Sequence, residues 1–140
     1  MQDAEIITIL LADDSRSDLD LVRFALEDLQ LPVRILYAKD GQEVLDKLLI
    51  PSSSSVNNIY PELILLDLEL PRVHGLDVLK TLREQPSTQH LPIIIFSSSF
   101  NETVIQQCYE LGANGFVQKP IDFFEFARIL EGIIRFWVSP

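Results

Sequence analysis

Cysteine is nearly absent from this chain: Cys108 is its one thiol, so no disulfide can form within it, and the cross-linked framework of small secreted domains is excluded. A reducing compartment fits, and Cys108 itself reads as a small apolar residue on a helix. Positive charge is scarce as well. Eleven Lys and Arg stand against 21 Asp and Glu, a formal net charge of −10, so binding to a phosphate backbone, which needs clustered cations, is not expected. The apolar runs have the length of strands and fall far short of a bilayer span, and no basic region precedes a long apolar stretch at the N-terminus. A membrane span, a signal peptide and a nucleic-acid partner are therefore not expected, and the expected location is cytoplasmic. The two histidines, His74 and His90, lack the spacing of a zinc site and read as surface residues. No internal repeat is evident.

What the chain does have is a hydrophobic content of 47% over 140 residues, enough for one domain with a packed core. The apolar residues come in short runs. The most informative lies between Pro61 and Pro71, where Leu63-Ile64-Leu65-Leu66 ends in Asp67; an uninterrupted run of this kind reads as a strand buried on both faces. Others are 6–12, which stops at Asp13-Asp14, 33–38, 93–96, which breaks into Ser97-Ser98-Ser99, and 115–118, which ends at Lys119-Pro120. Between them apolar residues recur at helical spacing. One helix is predicted from Ser17, carrying Leu21, Val22, Ala25, Leu26 and Leu29, with Asp18 and Asp20 in the first turn where the helix dipole favours anions. Further helices are predicted over 41–50, over 76–85 before Pro86, and over 102–111, the last ended by Gly112 in a left-handed conformation. Asp122 with Glu125 three residues on forms a capping box for a final helix. The stretch 51–58, with four consecutive serines, reads as a solvated insertion.

Five strands alternating with five helices predict an α/β fold around a parallel sheet, since right-handed crossovers lay each helix over one face. Ligands of such sheets gather at the carboxyl ends of the strands, and here every strand but the second ends at a residue with chemical potential: Asp13 and Asp14, Asp67, Ser97, and Lys119. A strand order of 2-1-3-4-5 makes the first and third strands neighbours and gathers the three acids. Crowded carboxylates repel unless a cation compensates, and a hard divalent ion such as Mg²⁺ is the natural choice. An Asp beside such an ion can attack a phosphoryl group, with the ammonium of Lys119 and the hydroxyl of Ser97 holding the transferred oxygens.

The Asp13-Asp14 pair, Asp67 in Asp-Leu-Glu-Leu-Pro followed by Gly75, Ser97 and Lys119-Pro120 together resemble the receiver domain of two-component response regulators, from about residue 6 to residue 137. The resemblance implies a flavodoxin-like three-layer sandwich with a five-stranded sheet of order 2-1-3-4-5 and five helices. It implies a single receiver domain over 1–140 with no output domain, a signalling module and not an enzyme. It further implies Asp67 as the acceptor of phosphate from a sensor histidine kinase, and Mg²⁺ held by Asp13, Asp14, Asp67 and the backbone carbonyl of Glu69. Lys119 and Ser97 would contact the phosphoryl group, Phe116 would be the switching aromatic, and Glu69 and Ser99 would occupy positions that tune the lifetime of the phosphate. The serine-rich insertion and Phe136-Trp137 also resemble the small cyanobacterial response regulators paired with phytochrome kinases.

The final helix carries more large apolar residues than one buried stripe needs: Phe123, Phe124, Phe126, Phe136 and Trp137. A homodimer through this helix is expected, beside a downstream protein target. Two alternatives compete with the phosphoacceptor reading. One is a degenerate receiver serving as a dimeric scaffold. The other is a phosphatase of the haloacid dehalogenase type, which needs its two acids separated by one residue, whereas Asp13 and Asp14 are adjacent. A flavodoxin is disfavoured because two carboxylates after the first strand would repel a cofactor phosphate.

Overall fold

The computed structural model describes residues 6–49, 60–98, 101–119 and 122–138. Within them β1 (Ile7–Ala12) leads to α1 (Arg16–Asp28), β2 (Val33–Ala38) to α2 (Gly41–Leu49), and β3 (Leu63–Leu66) to α3 (Gly75–Glu84). β4 (Ile93–Ser97) then leads to α4 (Glu102–Glu110), and β5 (Gly115–Gln118) to α5 (Phe123–Trp137). The strands form one parallel sheet in the order β2-β1-β3-β4-β5, the flavodoxin-like arrangement. Ile9 pairs with Leu63 and Ala12 with Leu66, so β1 and β3 finish level and present their next residues side by side.

The period-two alternation of each strand divides the core into two layers. Leu10, Ala12, Ile64 and Leu66 pack with Val44 and Leu48 of α2, Val78, Leu79 and Leu82 of α3, and Cys108 of α4. Their neighbours Ile9, Leu11, Leu63 and Leu65 pack on the other face with Val22, Ala25 and Leu26 of α1 and Phe126, Ala127, Leu130 and Ile134 of α5. β3 has no solvent face, which is why its sequence is an unbroken apolar run. Each fully buried aliphatic side chain of this kind is worth ~2 kcal/mol relative to exposure, so a polar residue anywhere in 63–66 would be costly, and the first polar side chain falls where the sheet ends.

Local signals place the helices. α1 starts at Arg16, one residue before the apolar spacing indicates, because Ser15 takes the cap and its hydroxyl accepts from the Asp18 N–H at 3.3 Å. Asp18 stands in the first turn as expected, while Asp20 lies beyond it. α4 ends as predicted: Gly112 has φ 105°, its N–H donates to the Tyr109 carbonyl at 3.0 Å, and the Ala113 N–H donates to the Cys108 carbonyl at 2.9 Å. The Asp122 carboxylate caps α5 by accepting from the Glu125 N–H at 3.2 Å. His74 caps α3, its Nδ1 accepting from the Leu76 N–H at 3.2 Å. At the opposite end of the strands from the acids, Arg83 donates to the carbonyls of Gly112, Thr88 and Gln89 and to Asn114 Oδ1, which in turn accepts from the Ile93 N–H. The serine-rich stretch 51–58, Ser99 and Pro120 lie outside the described residues. Among the described residues no helix is long and apolar enough to cross a membrane.

Candidate functional site

Backbone hydrogen bonds of the sheet carry the site residues just past the strand ends. The Asp13 N–H donates to the Ala38 carbonyl at 3.0 Å, the Asp67 N–H to the Ala12 carbonyl at 2.9 Å, and the Lys119 N–H to the Ser97 carbonyl at 2.7 Å. Each of the two central acids is then aimed by the chain two residues on: Asp13 Oδ1 accepts from the Ser15 N–H at 2.9 Å, and Asp67 Oδ1 from the Glu69 N–H at 3.2 Å. The loop after β3 is held from both ends. The Gly75 N–H donates to the Leu68 carbonyl at 2.8 Å, and a Cβ on Gly75 would lie 2.5 Å from the Asp67 carbonyl oxygen and from Leu68 Cα. Only glycine lets α3 begin so close to the acid. From the other side Arg72, at φ 68°, reaches Asp40 Oδ2 at 3.4 Å, and the Gly41 N–H donates to the Pro71 carbonyl.

The carboxylates so placed are buried: Asp13 is 0% exposed and Asp67 7%. Burial raises the carboxyl of Asp13 to about 6 despite hydrogen bonds from Lys119 and the Ser15 N–H that lower it. Burial likewise raises Asp67, with the Lys119 charge pulling the other way. Lys119 is 8% exposed, and its Nζ lies 2.7 Å from Asp13 Oδ2, 2.6 Å from Asp18 Oδ2 and 3.6 Å from Asp67 Oδ2, above the Phe96 ring at 4.7 Å. Burial alone would lower its pKa, but the hydrogen bonds to Asp13 and Asp18 outweigh that and hold it above its ordinary value. The negative field extends to β2, where the Tyr37 hydroxyl is raised by burial and then by Asp13 and Asp14.

Carboxylate oxygens of Asp13, Asp14 and Asp67 lie within 4.8 Å of one another. The Lys119 ammonium shares with five acids, Asp13, Asp14, Asp18, Asp67 and Glu69, a cleft of ≈ 370 Å³ whose wall also includes Ser15 and Ser98. Three hard oxygen donors at that spacing, with an excess of buried negative charge, fit a divalent cation such as Mg²⁺. A carboxylate nucleophile beside an ammonium and a cation-holding acid pair suits an electrophile that is itself anionic.

The structure thus brings Asp13, Asp14, Asp67 and Lys119 into one cleft, with Glu69 on its wall. Ser97 is fully buried at the end of β4, next to Lys119 through its carbonyl, and the serine that lines the cleft is Ser98. Phe116 is half-buried on β5 and packs against the layer that includes α3 and α4. Asp18 is the member that sequence reasoning assigned only to the helix dipole. Its signal was present: Cα–Cβ bonds tilt toward the N-terminus of a helix, so an acid in the first turn leans back over the strand ends. Of the five aromatic residues in α5, Phe126 belongs to the core, whereas Phe124 and Phe136 are 70% and 71% exposed and Trp137 37%.

The family profile described as the response regulator receiver domain matches residues 9–131. Response regulator Rcp1 of Synechocystis is 30% identical over 131 residues, covering 94% of this chain and 88% of its own length. The crystal structure of the phosphorylated cyanobacterial phytochrome response regulator RcpA superposes with a TM-score of 0.85 at 31% identity, covering 96% of both chains. The Mn²⁺-bound form of Rcp1 superposes at 0.82 with 29% identity over 95% of both.

Proposed function

This chain belongs to the response regulator receiver domain family, and from that premise we propose that it is a phosphoacceptor switch, with Asp67 taking a phosphoryl group from a histidine kinase. The observation that carries this reading is the Lys119 ammonium 3.6 Å from Asp67 Oδ2 within the same cleft as the Asp13-Asp14 pair. An oxygen of the ionised Asp67 attacks the phosphorus of a phosphohistidine. The new O–P bond forms as the N–P bond breaks, and the electron pair leaves with the imidazole nitrogen. Lys119 holds the transferred oxygens, and the Ser97 hydroxyl, buried at the end of β4 in the resting protein, is the second group proposed to reach them. The carboxylates of Asp13, Asp14 and Asp67 with the Glu69 backbone carbonyl would hold Mg²⁺, which when bound offsets the charge on the phosphoryl oxygens.

The added charge and acceptor oxygens change the surface around β4, α4 and β5, with Phe116 as the aromatic that follows the shift, and a downstream protein reads that surface. The protein acts as a cytoplasmic single receiver domain over 1–140, a signalling component of a phosphorelay and not an enzyme on an external substrate. A phytochrome kinase as its phosphodonor is supported by the likeness to RcpA. Nothing in the charge balance favours nucleic acid or membrane as a partner. The exposed Phe124, Phe136 and Trp137 of α5 support a homodimer through that helix; sedimentation showing a monomer at high concentration, with and without a phosphoryl mimic, sinks the dimer. The adjacent acids that disfavour a haloacid-dehalogenase phosphatase are the ones that fit the receiver. Beryllofluoride with Mg²⁺ tests the function and separates it from the pure scaffold: amide resonances of the cleft and of β4 and β5 shift in the parent and stay in place in Asp67→Asn. A parent spectrum that does not respond rejects the phosphoacceptor reading.

A further inference from the structure

The contact that Asp18 makes is not explained by capping or by the helix dipole. It reaches Lys119 Nζ at 2.6 Å, as short as the 2.7 Å contact from Asp13, and both are charge-assisted hydrogen bonds. Asp67 Oδ2, at 3.6 Å from the same nitrogen, is beyond hydrogen-bonding reach. The resting ammonium is therefore drawn to the α1 side of the cleft, away from the acceptor. We propose that Asp18 is a positioning residue that holds the Lys119 ammonium in the resting protein and competes for it with the phosphoryl group on Asp67. This rests on the phosphoacceptor reading above.

Three observations carry it. Lys119 has a restricted range, since its backbone N–H is tied to the Ser97 carbonyl at 2.7 Å and its side chain lies over the Phe96 ring, so its head chooses among partners and does not leave the cleft. Asp18 is fixed in its turn: the Ser15 hydroxyl caps its N–H, and its side chain is 24% exposed, where an ion pair is screened less than on open surface. And of the three acids paired with Lys119, namely Asp13, Asp18 and Asp67, Asp18 alone stands outside the group whose oxygens lie within 4.8 Å of one another. A cation held by Asp13, Asp14 and Asp67 leaves Asp18 as the anion that still competes for the lysine. Removing its charge frees the ammonium to turn toward Asp67, so an anionic phosphoryl mimic binds more tightly.

The test is a double-mutant cycle. Asp18→Asn and Asp18→Ser are made in the parent and in a Lys119→Met background, and beryllofluoride affinity in Mg²⁺ is read by fluorine NMR titration. Asp18→Asn is expected to tighten binding about fivefold in the parent, which converts to ~1 kcal/mol, and to change nothing when Lys119 is Met. In the metal-free protein the Lys119 ammonium resonance, protected by its two partners, is expected to broaden or vanish in Asp18→Asn. Equal tightening in both backgrounds means that Asp18 acts through its charge alone and overturns the proposal; so does unchanged or weaker binding in the parent background. If the parent itself fails to bind beryllofluoride, the phosphoacceptor reading fails first and this inference falls with it, an outcome distinct from a parent that binds and a variant that does not differ.

Discussion

Replacing Asp13 by Asn is expected to make the metal-free protein more stable at neutral pH, although it removes an ion pair. Asp13 is fully buried, and burial outweighs the pull of Lys119 and the Ser15 N–H, lifting its carboxyl from 3.8 to about 6. A native pKa above the unfolded one means that the folded protein binds more protons between the two values. This group's contribution to stability is therefore complete below pH 3.8 and is lost as the pH rises through about 6. The loss at neutral pH is bounded by the whole shift, roughly 3 kcal/mol at ~1.4 kcal/mol for each pH unit. That shift is already net of the Lys119 attraction; Asn keeps an oxygen for Lys119 but sets an amide N–H₂ against the Ser15 N–H, which leaves a net gain of about 1 to 2 kcal/mol. For a domain of this size that is roughly 3 to 6 °C in Tm. Thermal unfolding followed by circular dichroism in a chelator, from about pH 4 to about pH 7, measures it. The Tm of the parent falls relative to Asp13→Asn as the pH rises, and the gap stops growing once Asp13 is ionised. Asp40, remote from the cleft and with its carboxyl held low by the Glu43 N–H, titrates in both proteins and cancels in the difference. Mg²⁺ is expected to reverse the order, since an ion held by the Asp13 carboxylate would bind the native parent better than the variant. A parent more stable than the variant at neutral pH without metal, or a gap that does not change with pH, refutes the reasoning.

Three further outcomes follow from named contacts. Gly75→Ala places a Cβ 2.5 Å from the Asp67 carbonyl and Leu68 Cα, and is expected to cost about 2 kcal/mol by denaturant unfolding while also weakening beryllofluoride binding, since the loop that aims Asp67 must shift. Lys119→Met leaves Asp13, Asp18 and Asp67 without their shared cation; it is expected to destabilise the metal-free protein by about 3 kcal/mol, with part of the loss recovered on adding Mg²⁺. Arg83→Met removes donors to Gly112, Thr88, Gln89 and Asn114 at the end of the sheet remote from the acids; a loss of about 2 kcal/mol is expected, with Mg²⁺ affinity unchanged by calorimetry.

The parts of this fold that were legible before the structure are those where one local signal decides. Leu63 through Leu66 can only be buried on both faces, and the acid that follows marks the end of the sheet. Gly112 announces the left-handed end of α4 because few other residues adopt φ 105° there. The gathering of Asp13, Asp14, Asp67 and Lys119 in one cleft was legible because they follow strands and the order of the sheet gathers strand ends. What escaped depends on how elements approach one another. Asp18 reaches Lys119, 101 residues on, because α1 packs on the face of the sheet where the lysine lies over Phe96, and no spacing in the sequence encodes that. The latch between Arg72 and Asp40 requires the positive φ of Arg72, a residue type that does not advertise it. The serines after β4 look alike in the sequence, and it is the strand's extension to Ser97 that buries this one and puts Ser98 on the wall of the cleft. His74, read as a surface residue, is exposed but employed, as the cap of α3.

The most direct test of the central claim is the intact mass of the protein after incubation with acetyl phosphate and Mg²⁺, compared with Asp67→Asn under the same conditions. A gain of one phosphoryl group in the parent, absent from the variant and lost when the metal is chelated beforehand, is the predicted result. No gain in the parent, or the same gain in Asp67→Asn, contradicts the assignment of Asp67 as the acceptor.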